Sequence, residues 1–360
     1  MRVTGYRLAM LRVPLREVFT TALRRVDQVE DLVLVLETDC GRTGYGSAPA
    51  TRAITGEDHA SIIAALEHDL LPPVVGAGVD ALPALLASLP GGNSNARAAL
   101  EVALFDLAAQ DRGLPLCQLL GGAPGTLHTS LTISVNAPAA MAASARAALE
   151  RGFTCLKLKL GGEPAEDLQR VRHVAVAVAG AASLYLDANQ ACNLEQACWL
   201  LAQLAGEGIA VELLEQPLPA GDLDGMARLR QRVKTPVMAD ESVFDPEDAA
   251  RVIAAGAADI LNIKLVKSGG VSGALAIADQ AAAAGLSCMM GCMLESAIGV
   301  AAAAHVAAAR PEVITRVDLD APLLARGDPV RGGTRFSAAA ISLNRTPGLG
   351  IAAIDGLDYL

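Results

Sequence analysis

Short apolar runs alternate with longer alanine-rich segments through most of this 360-residue chain. Each short run has the length of a buried strand, and each longer segment has the apolar spacing of a helix. Strands and helices in regular alternation are typical of a parallel β-sheet covered by helices. The predicted strands are Leu131–Val135, Cys155–Lys159, Ser183–Asp187, Ala210–Leu214, Pro236–Ala239, Ile260–Lys264, Ser287–Met290 and Val313–Val317.

A polar residue or a glycine marks the end of most predicted strands, at a nearly constant interval. Successive markers are 28, 28, 25, 24, 27 and 27 residues apart: Lys159, Asp187, Glu215, Asp240, Lys264, Gly291 and Asp318. Seven or eight such units favour closure into a (β/α)7β-type TIM barrel, whose active site lies at the carboxyl ends of the strands. A doubly wound open sheet is the alternative, but the glycine-rich phosphate turn typical of that fold is not visible early in the chain.

The first 125 residues follow a different pattern. Residues 30–38 and 42–47 predict a β-hairpin around a glycine turn, and a helix is predicted to begin near Thr55 as its N-cap. A stronger helix is predicted over residues 95–112. We therefore predict an α+β capping domain over 1–125, a barrel over 126–321, and a segment over 322–360 that packs back on the capping domain.

Composition narrows the class of protein. Hydrophobic residues make up 52% and the net charge is −10, without a basic run, so nucleic acid and anionic membrane surfaces are unsuitable partners. The longest charge-poor stretch, around 296–309, is too short to span a bilayer. Seven cysteines without a CxxC pair suggest a reduced, cytoplasmic setting. A homo-oligomer is compatible with the sequence, which does not specify the number of subunits.

Lysine is rare and clustered. There are five lysines against 24 arginines (29 basic residues minus five), and four of them form the pairs Lys157/Lys159 and Lys264/Lys267. Arginine keeps its proton in proteins, whereas a lysine amine can act as a base. A coding preference for arginine explains the low total but not the clustering, so the pairs predict proton transfer.

Three carboxylates end three successive predicted strands: Asp187, Glu215 and Asp240. Neighbouring strand ends lie about 5 Å apart, so these groups would repel one another unless a cation lay between them. Mg²⁺ prefers oxygen ligands and leaves positions open for substrate. Ion pairing with lysine or arginine is the alternative. Three further residues are predicted to orient the ligands from behind: Asn189, Glu241 and Lys267.

The lysines at the two ends of this trio predict a reaction. Lys159 precedes the trio and Lys264 follows it, so their amines should face a bound ligand from opposite sides. Repulsion from Lys157, about 6.6 Å away along the strand, should lower the pKa of Lys159 toward the range of a general base. A metal-bound carboxylate substrate would lose its α-proton to one lysine through an ene-diolate and regain a proton from the other, with inversion.

The ends of the predicted strands carry a series of motifs that resembles that of the enolase superfamily, muconate-lactonizing subgroup. Residues 1–125 also resemble the capping domain of that family, so the resemblance covers essentially the whole chain. It implies an isomerase that requires Mg²⁺. The motifs are Lys157-Leu-Lys159, Asp187-Ala-Asn189, Glu215-Gln-Pro217, Asp240-Glu-Ser242, Asn262-Ile-Lys264 and Gly291-Cys-Met-Leu-Glu-Ser296.

Within that subgroup, Asp318-Leu-Asp320 resembles the Asp-x-Asp of dipeptide epimerases, where the pair would bind a substrate ammonium. The segment 19–24 resembles a capping loop of L-Ala-D/L-Glu epimerases, and by that likeness Arg24 would bind the side-chain carboxylate of the second residue. The expected activity is epimerisation at the α-carbon of the C-terminal residue of a dipeptide. Further substrate contacts are expected from Thr132, Lys157, Cys292 and Met293.

Other functions remain open at this point. An N-acylamino acid racemase or a cycloisomerase would keep the fold and the metal. A Schiff-base aldolase barrel would use a lysine as a nucleophile. A barrel used only for binding is disfavoured, because it would have no need of two opposed bases.

Overall fold

The computed structural model describes residues 1–22 and 24–360. The chain begins with an antiparallel sheet of β1 (Val3–Thr20), β2 (Arg25–Thr38) and β3 (Thr43–Pro49). The predicted hairpin is therefore confirmed as β2 and β3. The long strand β1 is not among the predicted elements, although Leu11, Val13 and Leu15 are buried at alternate positions, as a half-buried strand requires.

The predicted long helix is confirmed, and it covers this sheet. Helix Ser94–Arg112 begins after Asn93, whose side chain accepts a hydrogen bond from Ala96 N–H, and it packs closely on β3. A Cβ on Gly46 would lie 1.9 Å from Ala99 O, so only glycine allows this approach. The helices of this domain are α1 (Arg52–Thr55), α2 (His59–Ala64), a π-helical turn (Ala65–Leu70), a 3₁₀ turn (Val79–Ala81), α3 (Leu82–Ser88), α4 (Ser94–Arg112) and α5 (Leu116–Leu119).

The predicted N-cap at Thr55 is wrong. Helix α2 instead begins after Asp58, whose carboxylate accepts Ser61 N–H at 2.9 Å. Ser61 Oγ in turn accepts Asp58 N–H at 3.0 Å, which completes a capping box. Thr55 lies at the end of the short helix α1.

The barrel is confirmed: eight parallel strands follow one another in chain order within one sheet. Ser130 N–H donates to Val317 O at 3.1 Å and so links the edges of the sheet. The strands are a preceding β4 (Thr126–His128), then β5 (Leu131–Ile133), β6 (Cys155–Lys159), β7 (Ser183–Asp187), β8 (Leu213–Glu215), β9 (Val237–Ala239), β10 (Ile260–Ile263), β11 (Ser287–Gly291) and β12 (Ile314–Asp318). The helices between them are α6 (Pro138–Glu150), α7 (Pro164–Val178), α8 (Leu194–Gly206), α9 (Leu223–Arg232), α10 (Pro246–Ala255), α11 (Val271–Ala283) and α12 (Ala297–Ala309).

Strand β8 begins three residues later than predicted. Ala210 is exposed, whereas Leu213 and Leu214 are buried, so only the later residues pack into the barrel wall. The shift places Glu215 at the last position of the strand, in register with Asp187 on β7.

Inward-facing residues form two layers along the barrel axis. The lower layer, toward the amino ends of the strands, is an apolar cluster of Tyr185, Leu213, Met238, Ile260 and Met289. Two residues further along each of these strands lie Asp187, Glu215, Asp240, Asn262 and Gly291. Because strand side chains repeat with a period of two, this second set points inward at the carboxyl end.

The C-terminal segment returns to both domains. Its last strand pairs with β1 through Ala9 and Tyr359, and its strand Ala340–Leu343 pairs with β4 at the amino end of the barrel. Its elements are α13 (Ala321–Leu324), β13 (Val330–Gly332), β14 (Thr334–Ser337), β15 (Ala340–Leu343), β16 (Ile351–Ile354) and β17 (Asp358–Tyr359). Over residues 1–22 and 24–360, no helix combines the length and apolarity that a membrane span requires.

Candidate active site

A pocket of about 580 Å³ lies at the carboxyl end of the barrel, where the capping domain covers it. It brings together residues from the first strand pair, from α1 and from most barrel strand ends. Its lining comprises Phe19, Thr21, Arg24, Ile54, Thr132, Lys157, Lys159, Asn189, Lys264, Cys292, Met293, Leu294, Asp318, Asp320, Ala321 and Leu324.

The three predicted metal ligands lie beneath this pocket, on neighbouring strands. Asp187, Glu215 and Asp240 are each 0% exposed. Burial alone would raise the pKa of Asp187 and of Asp240, but the lysines beside them outweigh it and the pKa of both is lowered. For Glu215, burial together with the charge of Asp187 raises the pKa to about 8.

Each carboxylate of the trio is paired with a lysine, and among residues 1–22 and 24–360 no group of acidic or histidine side chains is already arranged around a metal ion. Asn262 Nδ2–H donates to Glu215 Oε1 at 2.9 Å, which orients the carboxylate. Glu215 Oε2 forms a buried ion pair with Lys157, whose Nζ is 2.7 Å away. As a donor set, three carboxylates on adjacent strands supply the oxygen atoms that Mg²⁺ prefers, so the residue types fit the predicted cation.

Lys157 lies among the carboxylates and shares Asp187 Oδ2 with Lys159. Its Nζ is 3.0 Å from Asp187 Oδ2 and 2.8 Å from Asp318 Oδ2. Burial would lower the pKa of Lys157, but the charges of Asp318, Glu215 and Asp187 together raise it well above its usual range. Repulsion between the two lysines, expected from the sequence, is therefore not the dominant interaction at Lys157.

Lys159 faces the pocket from β6. Its Nζ donates to Asp187 Oδ2 at 2.6 Å and to Asn189 Oδ1 at 3.1 Å. Asn189 Nδ2–H donates to Glu241 Oε1 at 3.1 Å, so Asn189 joins a lysine to a carboxyl group behind the trio. Burial and the charge of Asp240 raise the pKa of Glu241 to about 7.

Lys264 approaches from the other side. Its Nζ donates to Asp240 Oδ2 at 2.6 Å, and burial, which would lower its pKa, is outweighed by Asp240, so the pKa is raised. Lys267 Nζ donates to Asp240 Oδ1 at 2.5 Å and to Asn262 O at 3.1 Å from behind. The pKa of Lys267 is lowered, mainly by burial.

The two pocket lysines lie half-way around the barrel from each other. Lys159 ends β6 and Lys264 follows β10, and strands β7, β8 and β9 lie between them in the eight-stranded sheet. Four steps around a ring of eight strands correspond to half of its circumference. Two amines in these positions can reach opposite faces of a ligand held above Asp187, Glu215 and Asp240.

Asp318 and Asp320 line a third side of the pocket, on and just after β12. Ser130 Oγ–H donates to Asp318 Oδ1 at 2.5 Å, and Thr132 N–H donates to Asp320 Oδ2 at 2.5 Å. Burial, followed by the charge of Asp318, raises the pKa of Asp320 to about 7. Two buried carboxyl groups at one wall suit a ligand that carries a positive charge.

The predicted contacts from the capping side also reach the pocket. Arg24 is partly buried, and burial lowers its pKa; its Nη1 lies 3.4 Å from Thr51 Oγ1. Arg25, the next residue, is exposed. Leu23, within the segment 19–24, lies outside the described residues. Cys292 and Met293 complete the wall between the domains.

Sequence analysis missed a residue that connects two of the carboxylates. Gln216 is 0% exposed with φ +32°, and its Oε1 accepts Asp240 N–H at 2.9 Å and Ser242 N–H at 3.1 Å. Its Nε2 donates to Ser242 Oγ and to Leu218 O, both at 2.9 Å. Its position directly after Glu215 was the available signal. Phe19 and Ile54 also line the pocket but were not predicted as contacts. Phe19 lies in the segment that resembles a capping loop, yet as an ordinary apolar residue it was not singled out.

A barrel with buried carboxylates and two opposed amines at its carboxyl end defines an enzyme built for metal-assisted proton transfer. Comparisons with known proteins identify the family. Residues 5–121 match the mandelate racemase/muconate lactonizing enzyme N-terminal domain, and residues 140–355 match the enolase C-terminal domain-like family. The chain belongs to the mandelate racemase/muconate lactonizing enzyme family of the enolase superfamily.

Its relatives are similar over their whole lengths. The L-Ala-D/L-Glu epimerase of Clostridium acetobutylicum is 42% identical over 96% of this chain and 97% of its own length. A substrate-liganded L-Ala-D/L-Glu epimerase from Bacillus subtilis has a TM-score of 0.96 and 41% identity, and the match covers 99% of this chain and 100% of that one. A dipeptide epimerase from Enterococcus faecalis, complexed with Mg and L-Leu-L-Tyr, has a TM-score of 0.94 and 35% identity, covering 98% and 100%.

Proposed function

We propose that this protein is an Mg²⁺-dependent dipeptide epimerase that inverts the α-carbon of the C-terminal residue. The enzyme is an isomerase, and its substrate is a small molecule. The observation that carries the proposal is the position of Lys159 and Lys264 on opposite sides of the buried carboxylate trio. Two relatives are named L-Ala-D/L-Glu epimerases, so L-Ala-D/L-Glu is the dipeptide to test first.

In this reaction the epimer that is bound determines which lysine acts as the base and which as the acid. For one epimer Lys159 removes the α-proton and Lys264 donates a proton to the opposite face, and for the other epimer the direction is reversed. Each amine must be neutral when it acts as a base and charged when it acts as an acid. Asn189, hydrogen-bonded to Lys159 Nζ, would hold that amine in place.

Asp187, Glu215 and Asp240 would hold Mg²⁺, with Asn262 and Lys267 orienting Glu215 and Asp240 from behind. When bound, the cation would lower the cost of the negative charge that develops on the substrate carboxylate as the α-proton leaves.

The remaining pocket residues would select the substrate. Asp318 and Asp320 would bind the ammonium group of the first residue, because two carboxyl groups at one wall favour a cation. Arg24 would bind a carboxylate on the second side chain from the capping domain. Thr132 would hold Asp320 through its backbone N–H, and Cys292 and Met293 would contact the substrate beside them. The cysteine content further supports a cytoplasmic location, which cell fractionation would test.

A library of dipeptides incubated in D₂O with Mg²⁺ tests the proposal by mass spectrometry. We expect deuterium only at the α-carbon of the C-terminal residue. Because each lysine abstracts from one hand, Lys159→Ala and Lys264→Ala should each abolish exchange that starts from one epimer. Lys234→Ala is the matched control, since Lys234 is exposed and outside the pocket. Exchange at the N-terminal residue, or equal activity of all three variants, would contradict the proposal.

The same assay separates a dipeptide epimerase from an N-acylamino acid racemase. Asp318→Asn combined with Asp320→Asn removes the charges assigned to the substrate ammonium. Dipeptide exchange should fall at least about a hundredfold, the cost of about 2.7 kcal/mol expected for a charged hydrogen-bonded contact, while exchange of an N-acylated amino acid should change much less. Equal losses on both substrates would assign the carboxyl pair another role.

A further inference from the structure

A buried carboxyl group of the capping domain holds the start of a barrel helix. Asp31, in the middle of β2, is 0% exposed, and its Oδ2 accepts Ser296 N–H at 2.8 Å. Ser296 is the N-cap residue of α12, but its own hydroxyl makes no capping hydrogen bond. Asp31 therefore supplies, from another domain, the negative group that a helix N-terminus favours.

Glu295, the residue before Ser296, makes a hydrogen bond to the backbone of a residue that lines the pocket. Glu295 is buried, and its Oε1 accepts Met293 N–H at 2.9 Å. Met293 lines the catalytic pocket and packs with Ala98 and Ile54 of the capping domain. The Glu295 carboxyl group thus fixes a backbone amide in the segment 292–294, which forms the wall between the domains.

A glycine in α12 leaves room for the Glu295 carboxyl group. A Cβ on Gly299 would lie 1.9 Å from Glu295 Oε2 and 3.4 Å from Ser47 Oγ of β3. Gly299 lies within α12, where alanine would otherwise be the more stable residue. Glycine at this position therefore serves the placement of Glu295.

The two carboxyl groups lie in one polar cluster between the domains. The buried side chains of Ser47 and Ser296 both lie beside the Asp31 carboxyl group, where hydrogen bonding lowers its pKa against the effect of burial. Burial raises the pKa of Asp31 to about 6, and burial with the charge of Asp31 raises the pKa of Glu295 to about 8. A proton retained by Glu295 would remove the repulsion between the two groups. His59 and Lys264 are the cationic side chains that act on the cluster, on Asp31 and Glu295 respectively.

We propose that Asp31 and Glu295 are positioning residues that act together to fix the segment 292–294, and hence the capping-side wall of the substrate pocket. We call Asp31 and Glu295 the junction carboxyl pair. Neither residue lines the pocket, so both act through the Met293 backbone and the start of α12. The effect on substrate binding rests on the proposed function, whereas the effect on the segment itself does not.

Two measurements on Gly299→Ala and Glu295→Leu test the role of the junction carboxyl pair. Hydrogen–deuterium exchange should become faster in peptides covering 291–296, because Met293 N–H loses its acceptor. The KM for the preferred dipeptide should rise about tenfold, with kcat changing less than about twofold, as for the loss of one buried hydrogen bond. Glu295→Gln should keep the exchange rate and the KM close to those of the wild type, since its amide oxygen can still accept a hydrogen bond from Met293 N–H.

Control variants decide whether the effect is specific. Gly206→Ala is the matched substitution, because Gly206 also lies in a barrel helix and a Cβ there meets no described atom within 4 Å. Asp31→Leu tests the capping-domain side and should also speed exchange over 291–296. If Gly299→Ala does not fold, Glu295→Leu and Asp31→Leu give the same test.

Several outcomes would overturn the proposal. If hydrogen exchange over 291–296 is unchanged in Gly299→Ala and Glu295→Leu, Glu295 does not fix the segment 292–294. If exchange there is unchanged in Asp31→Leu, Asp31 does not contribute to fixing that segment. Faster exchange spread evenly over the whole capping domain would show a general structural role. A wild-type protein that turns over no dipeptide would defeat the proposed function alone, since the exchange measurement needs no substrate.

Discussion

The two layers inside the barrel lie on the same strands but contain opposite chemistry. The lower layer is an apolar cluster that includes Met238 and Met289. The upper layer, one inward position later and about 6.6 Å further along each strand, contains Asp187, Glu215 and Asp240.

The comparison shows how the barrel carries buried charge without being unstable. In the lower layer, side chains only need to fill space, so substitutions that conserve volume are tolerated. In the upper layer, each carboxylate of the trio lies within 3.0 Å of a lysine, as Asp240 does with Lys264 and Lys267. Removing one partner there leaves an uncompensated charge, which is far more costly than a small gap.

The largest expected effect comes from a matched pair on β9. Asp240→Asn leaves Lys264 and Lys267 without their shared carboxylate, so the free energy of unfolding in EDTA should fall by about 3–5 kcal/mol. Met238→Leu, two residues earlier, should cost less than about 1.5 kcal/mol. Urea unfolding of both variants measures the difference. Similar losses would show that the two layers do not differ in the way proposed.

An intermediate effect is expected at Gln216, which orders the upper layer without contacting the pocket. Gln216→Met keeps the length of the side chain but removes the acceptor for Asp240 N–H and Ser242 N–H. The Kd for Mg²⁺, measured by calorimetry, should rise about tenfold, as for the loss of a residue that orients ligands. Ser242→Ala, which removes one of these contacts, should have a smaller effect. A lower melting temperature with an unchanged Kd would instead indicate a purely structural role.

The last effect concerns pH, to which the lower layer, which contains no carboxyl group, should not contribute. The pKa of Glu295 is about 8 in the folded protein, compared with its ordinary value of about 4.3. A raised pKa contributes stability that is complete below about pH 4 and is lost as the pH rises toward 8. Between pH 5 and 8 the melting temperature of the wild type should therefore fall relative to that of Glu295→Gln, because each pH unit in this range costs up to about 1.4 kcal/mol of unfolding free energy. A constant difference between the two proteins would show that Glu295 does not retain a proton.

Much of the barrel could be predicted because its pattern is local and repeated. The spacing of the polar markers from Lys159 to Asp318 placed the strand ends within a few residues of those observed. The start of α2 was predicted at Thr55 because threonine, like aspartate, is a favoured N-cap residue, whereas the observed cap is the local pair Asp58 and Ser61. Strand β1 escaped prediction because its alternation is partly masked by Arg7, Arg12 and Pro14 at its exposed or irregular positions.

In the active site, too, some features could be predicted from the local sequence and others could not. The residue types at the strand ends predict a metal and two bases, and the resemblance of Asp318-Leu-Asp320 to dipeptide epimerases adds a cationic group on the substrate. The pairing of Lys157 with Asp318 was not predictable, because it joins residues 161 positions apart across the closed barrel. The sequence suggested that Lys157 would repel Lys159, whereas in the fold its three carboxylate neighbours dominate its pKa.

By itself, the sequence determined the periodic barrel and the chemical groups at its carboxyl end, because strand periodicity and residue type are properties of short segments. Only the tertiary structure decided which charges meet, how Gln216 connects two strands, and how Asp31 and Glu295 come together between the domains. Those contacts join residues far apart in the chain, and their strength depends on burial, which no local pattern specifies.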